Sequence, residues 1–250
     1  MSLLEVENVN RRFGGVQALT DVSFRVESGD RLAIIGPNGA GKTTLFNCLT
    51  GSPPPSGGSI RFDGEDVTSM APNARADRGL ARSFQTVNPF GHLTVEETAL
   101  IAVNGRRSSR YGILRRLRGY GEQAEEARAL IERAGLSEQA GTKLETLSDG
   151  EQRRLALAMT LVGEPRLFLL DEPSAGLSSA ESEAIVGMVR ALPAEVGVVI
   201  IDHDMDVVFT LAERILVLHH GSVIVEGSCE EVRHDPTVRD VYLGGGLAVA

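Results

Sequence analysis

The chain has 250 residues, a net charge of −9 and a sequence pI near 5.1. A chain this acidic is not a general electrostatic binder of nucleic acid, so any polyanion must be held at a local site. No apolar run approaches the roughly 18 to 20 residues of a membrane-spanning helix, and the N-terminus lacks the basic and apolar regions of a signal peptide, so we expect a cytosolic protein. The spacing of Cys48 and Cys229 predicts neither a metal site nor a disulfide framework.

The first part of the chain, up to a turn at residues 28–30, alternates apolar and polar side chains, a pattern that predicts β-strands. Phe13, followed by Gly14 and Gly15, lies between the alternating stretches. The residues alone favour Phe13 as a core side chain, with a functional aromatic as the alternative.

The apolar run at 32–35 predicts a strand that leads through a glycine-rich turn into a helix beginning near Thr44. The turn consists of Gly36, Pro37, Asn38, Gly39, Ala40, Gly41, Lys42 and Thr43. Its spacing, G-x-x-x-x-G-K-T, is that of a P-loop, in which backbone N–H groups and the positive end of the helix surround phosphates. Lys42 would then reach the outer phosphates, and the Thr43 hydroxyl would bind Mg²⁺.

Beyond the P-loop helix, residues 80–85 predict another strand, and after Pro89 the apolar spacing becomes mostly helical as far as about residue 159. This helical insert carries an arginine-rich stretch from Arg106 to Arg118. A solvated helix face is the first interpretation of that stretch, and contact with anionic lipid headgroups or a partner is the alternative.

Two further apolar runs end in residues that can carry chemistry. The run at 167–170 ends in Asp171 and Glu172, and the run at 196–201 is followed closely by His203. A helical pattern between them predicts a parallel pair of strands, and ligands bind at the carboxyl edge of such sheets. There Asp171 could hold Mg²⁺ through water and Glu172 could polarise an attacking water. Considered alone, His203 is more simply a histidine in a loop. The alternative is that its imidazole hydrogen-bonds a γ-phosphate.

The stretch 147–154 opens the last helix of the insert. Ser148, with Glu151 three residues later, predicts a capping box, and Asp149 suits the first turn. The functional alternative is that Ser148 and Gly150, at a helix N-terminus, form a second phosphate site.

In this order, the motifs resemble the ATP-binding subunit of an ABC transporter, over essentially the whole chain. The resemblance assigns Walker A to 36–43, the Q-loop to Gln85, the signature to 147–152, Walker B to 167–172, the D-loop to 174–178 and the switch histidine to His203. It implies an α/β fold with a P-loop NTPase (RecA-like) core, an N-terminal antiparallel β subdomain and an inserted α-helical subdomain. The single domain 1–250 would then divide into a core of 1–88 with 162–250 and a helical signature subdomain of 89–161.

The resemblance also implies ATP and Mg²⁺ as cofactors. Thr43, Gln85 and Asp171 would hold the metal, and Glu172 would act as general base. Gln85 and His203 would sense the γ-phosphate, with Lys42 neutralising charge. Phe13 would stack on adenine, a role that replaces the core interpretation within this family. The remaining nucleotide-binding positions would be the P-loop from Gly36 to Thr44 and, across a dimer, Ser148 and Gly150.

Within the family, the ending Val241-Tyr242-Leu243-Gly244 and the stretch 12–15 look like those of importers for branched-chain amino acids or related small solutes. Such importers imply a second ATP-binding subunit, membrane permease subunits and an extracytoplasmic solute-binding protein, with no nucleic acid. The subunit would lie peripherally on the cytoplasmic face of the cell membrane. The alternatives are an exporter motor of the lipopolysaccharide-export type, a soluble ABC ATPase of DNA repair or translation, and a P-loop kinase of small molecules.

Two positions depart from the family pattern. Asp149 and Glu151 replace the third and fifth residues of the usual Leu-Ser-Gly-Gly-Gln signature, and Ser178 stands where the D-loop usually has aspartate or asparagine. Because the signature helix should face the γ-phosphate of a partner's ATP, added carboxylates there predict weak ATP-driven dimerisation of the isolated subunit.

Overall fold

The computed structural model describes residues 2–83, 91–106 and 120–243. They form two compact units, one of residues 2–82, 166–175 and 192–243, and one of residues 83, 91–106, 120–165 and 176–191. The predicted domain division at 88/89 and 161/162 stays a prediction. Across these described ranges, no helix combines the length and apolar character needed to cross a membrane.

The first unit contains the strands of the described chain. In chain order they are β1 (Ser2–Phe13), β2 (Val16–Glu27), β3 (Arg31–Ile35), β4 (Gly57–Phe62), β5 (Glu65–Asp66), β6 (Leu80–Arg82), β7 (Leu167–Asp171), β8 (Gly197–Ile201), β9 (Arg214–His219) and β10 (Ser222–Ser228). The described helices of both units are α1 (Lys42–Thr50), α2 (Pro72–Ala76), α3 (Val95–Arg106), α4 (Tyr120–Arg133), α5 (Asp149–Leu161), α6 (Ser179–Arg190), α7 (Met205–Leu211), α8 (Cys229–His234) and α9 (Pro236–Leu243).

One sheet of the first unit is antiparallel, in the order β2-β1-β4-β5. Central β1 pairs Val6 with Phe24 of β2 and with Ile60 of β4, and these three side chains are buried. The alternation of the sequence therefore produces a sheet with one apolar face, as expected of antiparallel strands. This is the predicted N-terminal antiparallel subdomain.

The other sheet has the order β10-β9-β3-β8-β7-β6. Its strands β9, β3, β8, β7 and β6 run parallel, and β10 returns antiparallel to β9. All residues of β7 and β8 are buried, which is why each reads as a continuous apolar run. The predicted α/β fold, with its parallel pair of strands, is confirmed. Because the strands are parallel, the residues that follow β3, β6, β7 and β8 share one edge of the sheet.

The second unit is helical. Helices α3, α4, α5 and α6 belong to it, together with 3₁₀ turns at Ser137–Gln139 and Leu144–Thr146. Its core includes Val95 from α3, Ile131 from α4 and Leu155 from α5. The arginine-rich stretch lies outside the described residues except for the backbone of Arg106, so the choice between a solvated face and a membrane contact stays open.

A buried arginine ties the end of α1 to the turn before α2. Arg75 is 1% exposed, and its guanidinium donates hydrogen bonds of 2.6 to 3.0 Å to the backbone oxygens of Cys48, Leu49, Thr68 and Met70. The last carbonyl groups of a helix have no partner within it, so Arg75 supplies a donor to Leu49 and adds a second donor to Cys48, which also accepts from the Gly51 N–H at 3.1 Å.

We expect Arg75→Met to lower the free energy of unfolding by about 3 kcal/mol, because charged hydrogen bonds are lost and buried carbonyl groups are left without donors. Urea denaturation followed by circular dichroism measures the change. Arg78→Met is the matched control: Arg78 pairs with Glu65 at the surface, where ion pairs contribute little. Equal effects of the two substitutions would contradict a capping role for Arg75.

Candidate functional site

The glycine-rich turn lies between β3 and α1, as the sequence predicts. Gly36, Gly39 and Gly41 have φ of +154°, +80° and +106°. A Cβ atom on Gly36 would lie 2.1 Å from the Leu218 carbonyl oxygen, and one on Gly41 would lie 2.8 Å from that of Ala18. Backbone conformation and close approach therefore both require glycine here.

The Lys42 side chain folds over this loop. Its Nζ atom donates hydrogen bonds to the carbonyl oxygens of Gly36, at 2.6 Å, and Pro37, at 3.1 Å. Burial lowers the pKa of Lys42, and the nearby Glu172 carboxylate partly opposes this effect. Thr43 and Asn38 are exposed, whereas Ala40 is buried in the core. Within the described ranges, the N–H groups of Gly41, Lys42 and Thr43 have no hydrogen-bond acceptor, an arrangement suited to an anion.

Asp171 and Glu172 lie where β7 ends, beside β8. Asp171 pairs in register with Ile201 and its side chain is 2% exposed, with Oδ2 accepting a hydrogen bond of 2.5 Å from Arg82. Glu172 has a φ of +47°, and its N–H donates to the Ile201 carbonyl oxygen at 2.7 Å. A left-handed glutamate is uncommon, and such backbone strain concentrates at functional sites.

Asp202, which follows β8, joins the loops after β7 and β8. This carboxylate is 1% exposed. It accepts hydrogen bonds from the Ser174 N–H and hydroxyl, at 3.2 and 2.7 Å, and from the N–H groups of His203 and Asp204, at 2.7 and 3.0 Å. The neighbouring His203 is exposed, with Nδ1 3.7 Å from Asp202 Oδ1. Asp202 thus holds the His203 backbone, while the imidazole ring is exposed to solvent.

Phe13 is the last residue of β1, at the β1–β2 turn. The expectation that it is a core residue, drawn from the residues alone, is wrong: Phe13 is 47% exposed, because the hairpin tip extends past the apolar face of the sheet. The Arg11 guanidinium lies 4.6 Å from the centre of its ring, a cation–π contact.

The C-terminal helix reaches the P-loop from another side. A cavity of about 460 Å³ is lined by residues 37–40, by His219 and His220 and by Thr237, Asp240 and Val241 of α9. Tyr242 lies on the same helix. Burial raises the pKa of Tyr242 to about 12, and a hydrogen bond from the Gly36 backbone partly opposes this increase. Helix α9 therefore lies beside the P-loop.

In the helical unit, Ser148 caps α5. Its hydroxyl accepts from the Glu151 N–H at 3.2 Å, while the Glu151 carboxylate accepts from the Ser148 N–H at 2.8 Å. The predicted capping box is confirmed. The Ser148 hydroxyl also donates to Glu181 of α6 at 3.4 Å, and a Cβ on Gly150 would lie 2.3 Å from the same Glu181 oxygen. A side chain at position 150 would therefore require the Glu181 side chain to move.

Comparison with known proteins identifies the family. The model for "ABC transporter" matches residues 19–175, and the model for "Branched-chain amino acid ATP-binding cassette transporter" matches residues 222–248. The chain belongs to the ABC transporter family. It is an ATP-binding cassette, of a class of ATPases that bind ATP or ADP.

Relatives of this ABC cassette resemble it over nearly their whole length. The high-affinity branched-chain amino acid transport ATP-binding protein BraF of Pseudomonas aeruginosa is 37% identical, covering 97% of this chain and 98% of its own. A crystal structure of the ADP conformation of an ABC transporter cassette has a TM-score of 0.85 at 30% identity, covering 98% of this chain and 99% of its own. A dimeric post-hydrolysis cassette bound to ADP and Pi has a TM-score of 0.76 at 25% identity, covering 90% and 98%.

In this cassette, the first unit brings the Walker A loop, Asp171, Glu172 and His203 to one sheet edge. Gln85, the predicted Q-loop residue, lies outside the described residues. Sequence reasoning missed Asp202 and Arg82. The only signal for Asp202 was its place after a buried strand, and nothing local linked Arg82 to Asp171.

We expect Gly150→Ala to destabilise the cassette, because its Cβ would displace the Glu181 side chain from Ser148 and Ser178. In a Glu181→Ala background the same change should instead stabilise by about 0.5 kcal/mol, since alanine is the better helix former. A double-mutant cycle from urea denaturation measures this reversal of sign. Gly187→Ala, in α6 with open space around it, is the control and should stabilise in both backgrounds. Additive effects at Gly150 and Glu181 would argue against the contact.

Proposed function

We propose that this cassette is the ATP-binding and ATP-hydrolysing motor subunit of an importer for branched-chain amino acids or a related small solute. The observation that carries the proposal is the match of residues 222–248 to the branched-chain amino acid cassette family. Relatives named for branched-chain amino acid transport, over nearly the full chain, support it further and favour it over an exporter or a soluble ABC ATPase.

The P-loop would bind the phosphates of ATP. Its N–H groups and the positive end of α1 would surround the anion, and Lys42 would turn from the Gly36 and Pro37 carbonyl groups to the outer phosphates. Phe13 would stack on adenine, which its exposure at the hairpin tip permits. Thr44 and the exposed Asn38 would complete the loop's contacts.

The donors present fit Mg²⁺. In phosphate sites this ion takes one or two carboxylates together with phosphate oxygens and water, and Asp171 with the exposed Thr43 hydroxyl supplies such a set. Gln85 would be a further ligand. Among the described residues no cluster of three or more His, Cys, Asp or Glu could hold a metal without the nucleotide. Mg²⁺ would neutralise charge on the phosphates.

Glu172 would be the general base that polarises the attacking water. Its position one residue beyond Asp171, its left-handed backbone and its proximity to Lys42 support that role. His203 would sense the γ-phosphate from the next loop. Asp202 would hold the loops after β7 and β8 together by accepting hydrogen bonds from the Ser174 hydroxyl and the His203 N–H.

Hydrolysis would require a dimer. The relative seen as a dimer with ADP and Pi supports pairing, in which Ser148 and Gly150 of each cassette would close the ATP site of the other. A pair of membrane permease subunits would hold the cassettes at the cytoplasmic face of the membrane, near Gln85 and the helical insert. An extracytoplasmic solute-binding protein would deliver the amino acid, and no nucleic acid would take part.

Uptake of labelled leucine, isoleucine and valine tests the function. In cells lacking this cassette, we expect the wild-type gene to restore uptake and Glu172→Gln to fail, with phosphate release by the purified variant about 10²- to 10⁴-fold slower. Glu172→Gln should still bind ATP, whereas Lys42→Ala should not. Normal amino acid uptake without the cassette would exclude this solute class, and normal turnover of Glu172→Gln would place the base elsewhere.

The structure separates the two acidic residues of the signature. Glu151 is bonded to the Ser148 N–H, whereas Asp149 is exposed in the first turn of α5. In a Glu172→Gln background with ATP, we expect Asp149→Gly to tighten the dimer and reduce its salt dependence, because a charge facing the partner's phosphates is removed. Glu151→Gln is the control and should leave dimerisation unchanged. Analytical ultracentrifugation at low and high salt measures both. Equal or weaker dimerisation of Asp149→Gly would mean that Asp149 points away from the nucleotide and only stabilises the N-terminus of α5.

A further inference from the structure

Arg82, at the end of β6, connects three elements of the first unit. Its Nη2 donates to Asp171 Oδ2 of β7 at 2.5 Å, and its Nη1 donates to Asn47 Oδ1 of α1 at 2.7 Å. The Arg82 side chain is 27% exposed and that of Asp171 is 2% exposed. The guanidinium is therefore fixed on both sides, by the proposed metal ligand and by the P-loop helix.

The physical chemistry of this pair is unlike that of a surface ion pair. A carboxylate withdrawn from water needs a counter-charge, because an unpaired buried charge is strongly unfavourable. Charge-assisted hydrogen bonds from arginine are short and strong, and the planar guanidinium loses little freedom when it is already oriented. Asn47 supplies that orientation.

We infer that Arg82 is the counter-ion of Asp171 when no metal is bound, and that it weakens the affinity of this site for a divalent cation. The inference depends on the proposed assignment of Asp171 to the metal site. Metal binding would place a second cation beside the carboxylate that already receives the Arg82 hydrogen bond. The two cations repel one another, so the metal must draw Asp171 away from Arg82 or share it at a cost.

Arg82 would thus be a positioning residue with a definite sign of effect. If it only oriented Asp171 for the metal, removing it would weaken metal binding. If it competes with the metal, removing it strengthens metal binding. Couplings between sites typically correspond to about 5- to 150-fold in affinity, and an effect of about tenfold is expected for Arg82→Met.

The test uses the full chain, ADP and Mn²⁺, with free Mn²⁺ followed by electron paramagnetic resonance. We expect Arg82→Met to bind Mn²⁺ in the presence of ADP about tenfold more tightly than wild type. Arg82→Lys keeps the charge and should stay close to wild type. Asn47→Ala leaves the charge but loosens the guanidinium, so it should give a smaller change in the same direction. Arg78→Met, which breaks a surface pair with Glu65, is the control and should change nothing.

Thermal unfolding gives a second readout, which can be compared between conditions even if Arg82→Met is less stable than wild type. Relative to wild type, its Tm should fall more in EDTA than in Mn²⁺ with ADP, because the metal replaces the missing counter-charge. Equal or weaker Mn²⁺ affinity, or an equal fall in Tm under both conditions, would overturn the inference alone. If wild type binds ADP but no Mn²⁺, the proposed metal site fails together with it.

Discussion

Close contacts between backbone segments determine the conformation of the P-loop. The P-loop lies against the carbonyl oxygens of Ala18 and Leu218, at distances that admit only glycine at positions 36 and 41. Gly221 joins the same cluster: its N–H donates to the Ala40 carbonyl oxygen at 2.9 Å, and a Cβ there would lie 2.6 Å from the Ala18 oxygen. The start of β2, the P-loop and the β9–β10 turn therefore hold one another. Even one added methyl group would shift the loop that should bind ATP.

Charged hydrogen bonds organise the neighbouring strand ends in a similar way. Asp202 receives four hydrogen bonds from the residues around it, and Asp171 pairs with Arg82. Both carboxylates are buried, and charges in such a setting require satisfied partners. The consequence is a preformed edge of the sheet, where the residues that follow β7 and β8 are held together by these hydrogen bonds. Preorganisation of this kind is what a site for charged phosphates requires.

Features that depend on local interactions could be predicted from the sequence, whereas features that depend on contacts between distant residues could not. The P-loop, the two buried strands and the capping box at Ser148 are local patterns, and each could be predicted from spacing alone. Exposure of Phe13 could not, because it depends on how far the hairpin extends past its sheet. The Arg82–Asp171 and Ser174–Asp202 contacts join residues 89 and 28 positions apart, so only the folded topology brings them together. The roles of the site residues remain predictions.

The buried thiol of Cys48 lies on α1, behind the loop that should hold ATP. Burial raises its pKa to about 11, so in the closed helix it is both inaccessible and unreactive. The other cysteine, Cys229, is partly buried at the start of α8. Alkylation of Cys48 therefore requires the helix to open, and its rate reports how often that happens. The alkylation rate of Cys48 thus measures the opening of α1, and we expect a bound nucleotide to lower that rate.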